Sequence, residues 1–216
     1  MIHDFFKDGR PHNGITYEQF LNAIKVKVER LSTNMDAVTD HDEFLKLNFQ
    51  RSQRIYKTYT VSPELRKLLS GINEPQLWMV ITEDWCGDSA QILPYIEKIT
   101  EVNPDIQLRI IYRDQNPDIM DLYLTNGSMR SIPKLVAFDR EGNELFQWGP
   151  RPREAQDLVN QLKAEGYSKD QFIEQLHLWY GRNRGKAIEF EFKKILTDLS
   201  NDSEEFLDRP SISNQF

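Results

Sequence analysis

From about residue 75 to 165 the chain alternates short apolar runs with segments of helical spacing, and that order leaves few folds open. LWMVIT (77–82) and IQLRIIYR (106–113) read as buried strands. Between them, SAQILPYIEKITEV has a helical period, with Pro94 inside it as an expected kink. NPDIMDLYLTNG reads as a short helix stopped by Gly127. KLVAFD and NELFQWG read as strands joined through Arg140-Glu141-Gly142-Asn143, a hairpin turn. PREAQDLVNQLKAEG closes the stretch as a helix ending at Gly166. The order β-α-β-α-β-β-α predicts an α/β protein, a three-layer α/β/α sandwich. Its mixed sheet has parallel strands joined by crossover helices, then an antiparallel hairpin.

Helical segments flank this region. In residues 1–73, Thr16 caps a helix that places Phe20, Leu21, Ile24, Val28 and Leu31 on one face. A second helix begins at Asp40, and Ser62-Pro63-Glu64 opens a third, with proline where its missing N–H costs least. In residues 167–216, SKDQFIEQLHLWYG and GKAIEFEFKKILTDL are helical, with a frayed end. The division expected is therefore 1–73, 74–166 and 167–216. The apolar faces of both flanks are expected to pack on the middle region, with a homodimer contact as the alternative.

The net charge of -7 argues against binding a nucleic-acid backbone, which calls for a basic surface. No apolar run approaches the roughly 20 residues of a membrane helix. The N-terminal residues are too charged for a signal peptide. A single cysteine forms no internal disulfide, so the reducing cytoplasm is the expected compartment. No histidine pair has metal-ligand spacing and no C-x-x-C is present, so neither a metal nor a cofactor is expected.

That cysteine, Cys86, lies in D-W-C-G-D-S, where the first strand runs into the first helix. After the second strand comes Asp114-Gln115-Asn116-Pro117, then Ser131-Ile132-Pro133, then a hairpin ending in Trp148-Gly149. This ordered set, over roughly 90 residues, resembles thioredoxin. The resemblance covers the middle region and implies a thioredoxin-like fold, with Cys86 as the catalytic thiol at a helix N-terminus, where backbone N–H groups favour thiolate. It further implies a cis bond before Pro133, and an extended substrate paired with Ile132 and contacting Trp85, Gly87, Asp88, Ser89 and Pro133.

The departures from the family pattern share one theme. Ser89 replaces the resolving cysteine. The family's buried carboxylate falls at Val80, and its buried lysine at Ile110. The half-reaction of the second thiol is thus absent as a unit. Glu83, Asp84 and Asp88 are expected to oppose a thiolate. Arg130 and Lys134, flanking Pro133, are the candidate compensating cations, and an exposed sulfur is the premise of any reactivity. His177 is a conceivable base if the C-terminal helices fold back over the site, against the simpler reading of a packed helix face. GRNRGK (181–186) lacks the phosphate-loop frame and reads as an inter-helix turn.

Two functions follow. In the first, Cys86 attacks a disulfide-containing or otherwise oxidised protein or small thiol, and an external thiol reductant resolves the adduct. In the second, the fold is a non-catalytic module that holds an extended peptide beside Ile132-Pro133. The C-G-F-S motif of monothiol glutaredoxins also resembles Cys86-Gly87-Asp88-Ser89, but Asp88 stands where they carry an aromatic residue and would repel glutathione and an iron–sulfur cluster. Neither nucleic acid nor membrane is an expected partner, and the state expected is monomer or homodimer.

Overall fold

The computed structural model describes residues 3–33 and 39–207. Four strands form one mixed sheet: β1 (Gln76–Thr82), β2 (Ile106–Tyr112), β3 (Lys134–Phe138) and β4 (Glu144–Trp148), in the order β2-β1-β3-β4. β1 runs parallel to β2 and antiparallel to β3, and β3 pairs antiparallel with β4. Parallel neighbours need a crossover, which α5 (Gly87–Thr100) supplies, whereas β3 and β4 need only a tight turn.

β1 explains why the sheet lies at the centre. Its side chains alternate between two faces, and both faces are covered. Trp78 and Val80 enter a large cluster with Ile92, Leu93 and Ile96 of α5. Met79 and Ile81 enter a second cluster on the opposite face, with Ile119 and Met120 of α6 (Pro117–Leu122). This is the three-layer arrangement that the alternating pattern predicts.

Seven further α-helices complete the described chain. Four precede the sheet: α1 (Asp4–Lys7), α2 (Tyr17–Thr33), α3 (Asp40–Thr58) and α4 (Pro63–Ser70). α7 (Arg153–Ala164) follows β4, and α8 (Lys169–Asn183) and α9 (Lys186–Leu207) follow α7. Phe20, Ile24, Leu45 and Ile55 from the N-terminal helices share the larger cluster with Leu176, Ile188 and Phe192 from the C-terminal ones. Phe192 is fully buried, its ring 5.6 Å from Trp78 and 5.5 Å from Trp148. Burying one such ring contributes on the order of 2 kcal/mol. Alongside α5, the Ser52 hydroxyl of α3 donates to the Ala90 carbonyl at 3.2 Å.

α1 sets Phe5 and Phe6 against Phe138, at 6.1 and 4.9 Å between ring centroids. One local reading is corrected. The helix expected to run to Gly127 stops at Leu122. Its last turn is closed by the Tyr123 N–H on the Met120 carbonyl, and Gly127 instead serves a separate turn at φ +70°. The frayed end expected for the last dozen residues lies mostly outside the described residues.

Candidate functional site

The turn from β1 into α5 makes Cys86 the N-cap residue of that helix, in extended conformation and without a side-chain capping bond. The Ile132–Pro133 bond opposite is cis, and the Cys86 thiol donates to the Ile132 carbonyl at 3.5 Å. A cleft of about 390 Å³ opens here. Its floor includes Cys86, Gly87 and Ile132, and its walls come from Trp85, the Pro150-Arg151 loop and one face of α8. Trp85 is 37% exposed, with the Arg113 guanidinium 5.0 Å above its ring.

The premise of an exposed sulfur is corrected. Cys86 is only 7% exposed and joins the smaller apolar cluster with Met79, Ile81 and Ile132. Burial, and next the charge of Asp88, push its thiol up to about 11, against the lowering by Ser89 and the helix-start amides. The helix dipole loses because withdrawing a thiolate from water costs more than one helix end returns. At neutral pH the sulfur is therefore held as the thiol.

The carboxylate that bears on the sulfur is Asp88 alone of the three expected. Asp84 is bonded to Lys27 of α2, and Glu83 accepts the Asp114 N–H at 2.8 Å, its own carboxyl pushed up by burial. Asp88 accepts the Tyr180 hydroxyl at 2.8 Å and pairs with Arg151 at 2.6 Å. Arg151 is the cation whose field meets Cys86, and its pKa is raised, chiefly by Asp88 against the cost of burial. Neither Arg151 nor Tyr180 carried any sequence signal: the pairing exists only because the loop after β4 and helix α8 converge on the first turn of α5.

The compensating cations expected were elsewhere. Arg130 lines the cleft but makes a two-pronged pair with Asp121, both bonds at 2.7 Å. Lys134 does not line it; the side chain is buried, which lowers its pKa, with Glu144 the charge acting against that shift. Ser89 and Pro133 are also behind the cleft wall. Ser89 is 2% exposed, its hydroxyl 2.5 Å from that of Thr82, so it is a helix-start residue tied to β1 and not a surface a substrate touches.

The C-terminal helices do fold back over this end. His177 lines the cleft and sits against Gly87, where an added Cβ would meet its ring at 3.3 Å and Phe44 at 3.1 Å. Yet both ring nitrogens are engaged away from the thiol, Nδ1 with Gln91 at 3.2 Å and Nε2 with Arg51 at 3.3 Å. Burial, then Arg51 and Arg151, push His177 down to about 4, so the ring is neutral at pH 7. It braces α8 against α3 and α5. Among the described residues no group of three histidine, cysteine or acidic side chains could hold a metal ion, and no helix is long and apolar enough to cross a membrane.

The fold is shared with proteins of distant sequence. A Pseudomonas aeruginosa crystal structure of a protein of unknown function covers 90% of this chain, and 94% of its own, at TM-score 0.51 and 16% identity. A crystal structure of an HIV epitope-scaffold covers 85% of this chain and 99% of its own at TM-score 0.50 and 18% identity. No curated protein matches the sequence. The thioredoxin family model matches residues 32–163, well over half of the chain and spanning every strand together with the Cys86 turn. By that match the chain belongs to the thioredoxin family.

Proposed function

We propose that this protein is a thioredoxin-fold binding module whose groove, beside Ile132 and Pro133, holds an extended acidic peptide over a neutral Cys86 thiol. The observation that carries the reading is the hydrogen bond from Cys86 to the Ile132 carbonyl, made by a residue only 7% exposed. A thiolate cannot donate that bond. A protonated sulfur is a weak nucleophile, and Ser89 offers no second thiol to release an adduct.

The partner's charge follows from the lining. Arg113, Arg130, Arg151, Lys163 and Lys169 face the cleft; the three arginines are paired with Asp114, Asp121 and Asp88, which leaves Lys163 and Lys169 as the cations offered to a partner. Asp88 is already bonded to Arg151 and Tyr180, and the Arg151 Nε–H is buried without a partner. A basic groove on a chain of net charge -7 favours an acidic segment, and the apolar stretch of Trp85, Ile132 and Phe172 suits its apolar side chains.

A synthetic ten-residue peptide rich in Glu and Leu, titrated by fluorescence anisotropy, tests this. Binding that survives Cys86→Ser, weakens about tenfold in Lys163→Glu/Lys169→Glu, and is not matched by a Lys-rich peptide is expected. Loss of binding in Cys86→Ser, together with a mixed disulfide on the native thiol when the peptide is given one cysteine as a disulfide with a small thiol, the small thiol being released, would instead establish the redox reading. One observation favours that second reading: the sulfur, though buried, stands at the helix start facing the cis Ile132–Pro133 bond, the place a thioredoxin-family nucleophile occupies.

A further inference from the structure

The opposite end of α5 carries a second cleft, of about 860 Å³, where α2, α3 and α5 meet. Glu18, Glu97 and Glu101 line it, against one cation, Lys25, which pairs with Glu29, and together with Tyr17 and Tyr56. Glu97 lies roughly 16 Å along the helix from Cys86, at 1.5 Å per residue, so the two clefts are separate.

Two of its polar groups lack a partner. Glu97 makes no side-chain hydrogen bond or ion pair among the described residues. Tyr17 is 3% exposed, yet its hydroxyl has no hydrogen-bond partner. Ser52, which bears on that hydroxyl, gives its own proton to the Ala90 carbonyl. Glu97, Tyr56 and Glu101 all act on Tyr17 electrostatically, which places its polar end among the carboxylates. Leaving the buried Tyr17 hydroxyl unsatisfied is costly and Glu97 is half-buried beside it, so a ligand that pairs with both gains on each.

The chain displays the complementary chemistry next door. The Lys98 ammonium lies 4.0 Å from the centre of the Tyr56 ring and 2.8 Å from Glu101. Tyr17 stacks on Tyr56 at 5.6 Å, extending the aromatic floor. An ammonium group that reached Glu97 would meet a carboxylate, a hydroxyl and aromatic faces together. The acidic side chains here are not grouped closely enough to cage a metal ion, which favours a diffuse organic cation.

We propose that the α2–α3–α5 cleft binds a small organic amine in its ammonium form, through Glu97 and the Tyr17 and Tyr56 rings, with Glu101 already held by the Tyr56 hydroxyl and Lys98. The proposal is independent of the groove beside Cys86. Burial pushes Glu97 up to about 7; Glu101 and Glu18 add to the rise, Lys98 and Arg109 oppose it, and Tyr17, Tyr56 and Lys25 line the same cleft. A bound ammonium favours the charged carboxylate, so binding at pH 7 releases up to about half a proton from Glu97.

Spermidine is the probe, titrated calorimetrically into the full chain at constant ionic strength, in two buffers of different ionisation heat. Binding at pH 8, at least tenfold weaker at pH 5.5, with proton release at pH 7, is expected. Glu97→Gln should weaken binding about tenfold and abolish the proton release, and Tyr17→Phe should weaken it several-fold. Asp157→Asn, on the exposed face of α7, should change neither. Thermal melts establish that each variant is folded, and Tyr17→Phe carries the test should Glu97→Gln fail to fold. Absence of binding, or equal loss from Asp157→Asn and Glu97→Gln, would overturn the proposal, because attraction to an acidic chain as a whole would then explain the data.

Discussion

The two ends of α5 treat a half-buried acid in opposite ways. At the start, Asp88 is bonded on both oxygens, to Arg151 and Tyr180, and its neighbour shifts instead: burial first, and the Asp88 charge next, push the Cys86 thiol up to about 11. Near the end, Glu97 has no such partner, and the carboxyl itself is pushed up to about 7. Burial is similar in kind at both ends. What differs is whether a cation arrives with the carboxylate, and that decides which group titrates near neutrality.

The sharpest break of this contrast is Asp88→Ala. It leaves Arg151 buried with no counter-charge and Tyr180 with no acceptor, and should cost about 3 kcal/mol of stability in urea unfolding. The same change removes the negative field on the thiol, so the Cys86 pKa should fall. A stability loss below about 1 kcal/mol would mean the pair is solvated in practice.

Glu97→Gln should act in the other direction. The folded pKa of Glu97 lies above the ordinary carboxyl value, so the folded state binds more protons between about 4.5 and 7. Stability from this group is therefore full below 4.5 and is lost as pH rises through 7. Glu97→Gln should flatten that slope and leave the protein about 2 kcal/mol more stable than the native chain at pH 8. Thermal unfolding across pH 4–8 reads it directly.

His177→Gln sharpens the picture at the thiol end. The folded pKa near 4 is below the ordinary 6.5, so the neutral ring contributes stability that is full above 6.5 and is lost as pH falls toward 4. The variant should lose this acid-side slope, worth about 1–2 kcal/mol, while leaving the Cys86 profile nearly unchanged. A large shift in thiol reactivity would restore His177 as a base.

Much of the fold was legible because it rests on periodicity. β1 is buried on both faces, and a continuous apolar run such as LWMVIT announces that locally. The position of Cys86 was legible for the same reason: a strand meeting a helix at W-C-G fixes the N-cap. Its burial was not, because the cover comes from Ile132 and the smaller apolar cluster, set by long-range packing. The roles given to Lys134 and Arg130 failed on the same ground. Adjacency to Pro133 in the chain said nothing about Asp121, which claims Arg130, or about the burial of Lys134. Arg151 and Glu97 carried no local mark, and only the assembled helices single them out.

One cysteine makes the decisive measurement unambiguous. The rate of Cys86 alkylation by iodoacetamide, followed by mass spectrometry from pH 6 to 10, should keep climbing without a plateau, as a thiol titrating near 11 demands. A plateau reached by pH 8 would contradict the neutral-thiol account and return Cys86 to the role of a working nucleophile.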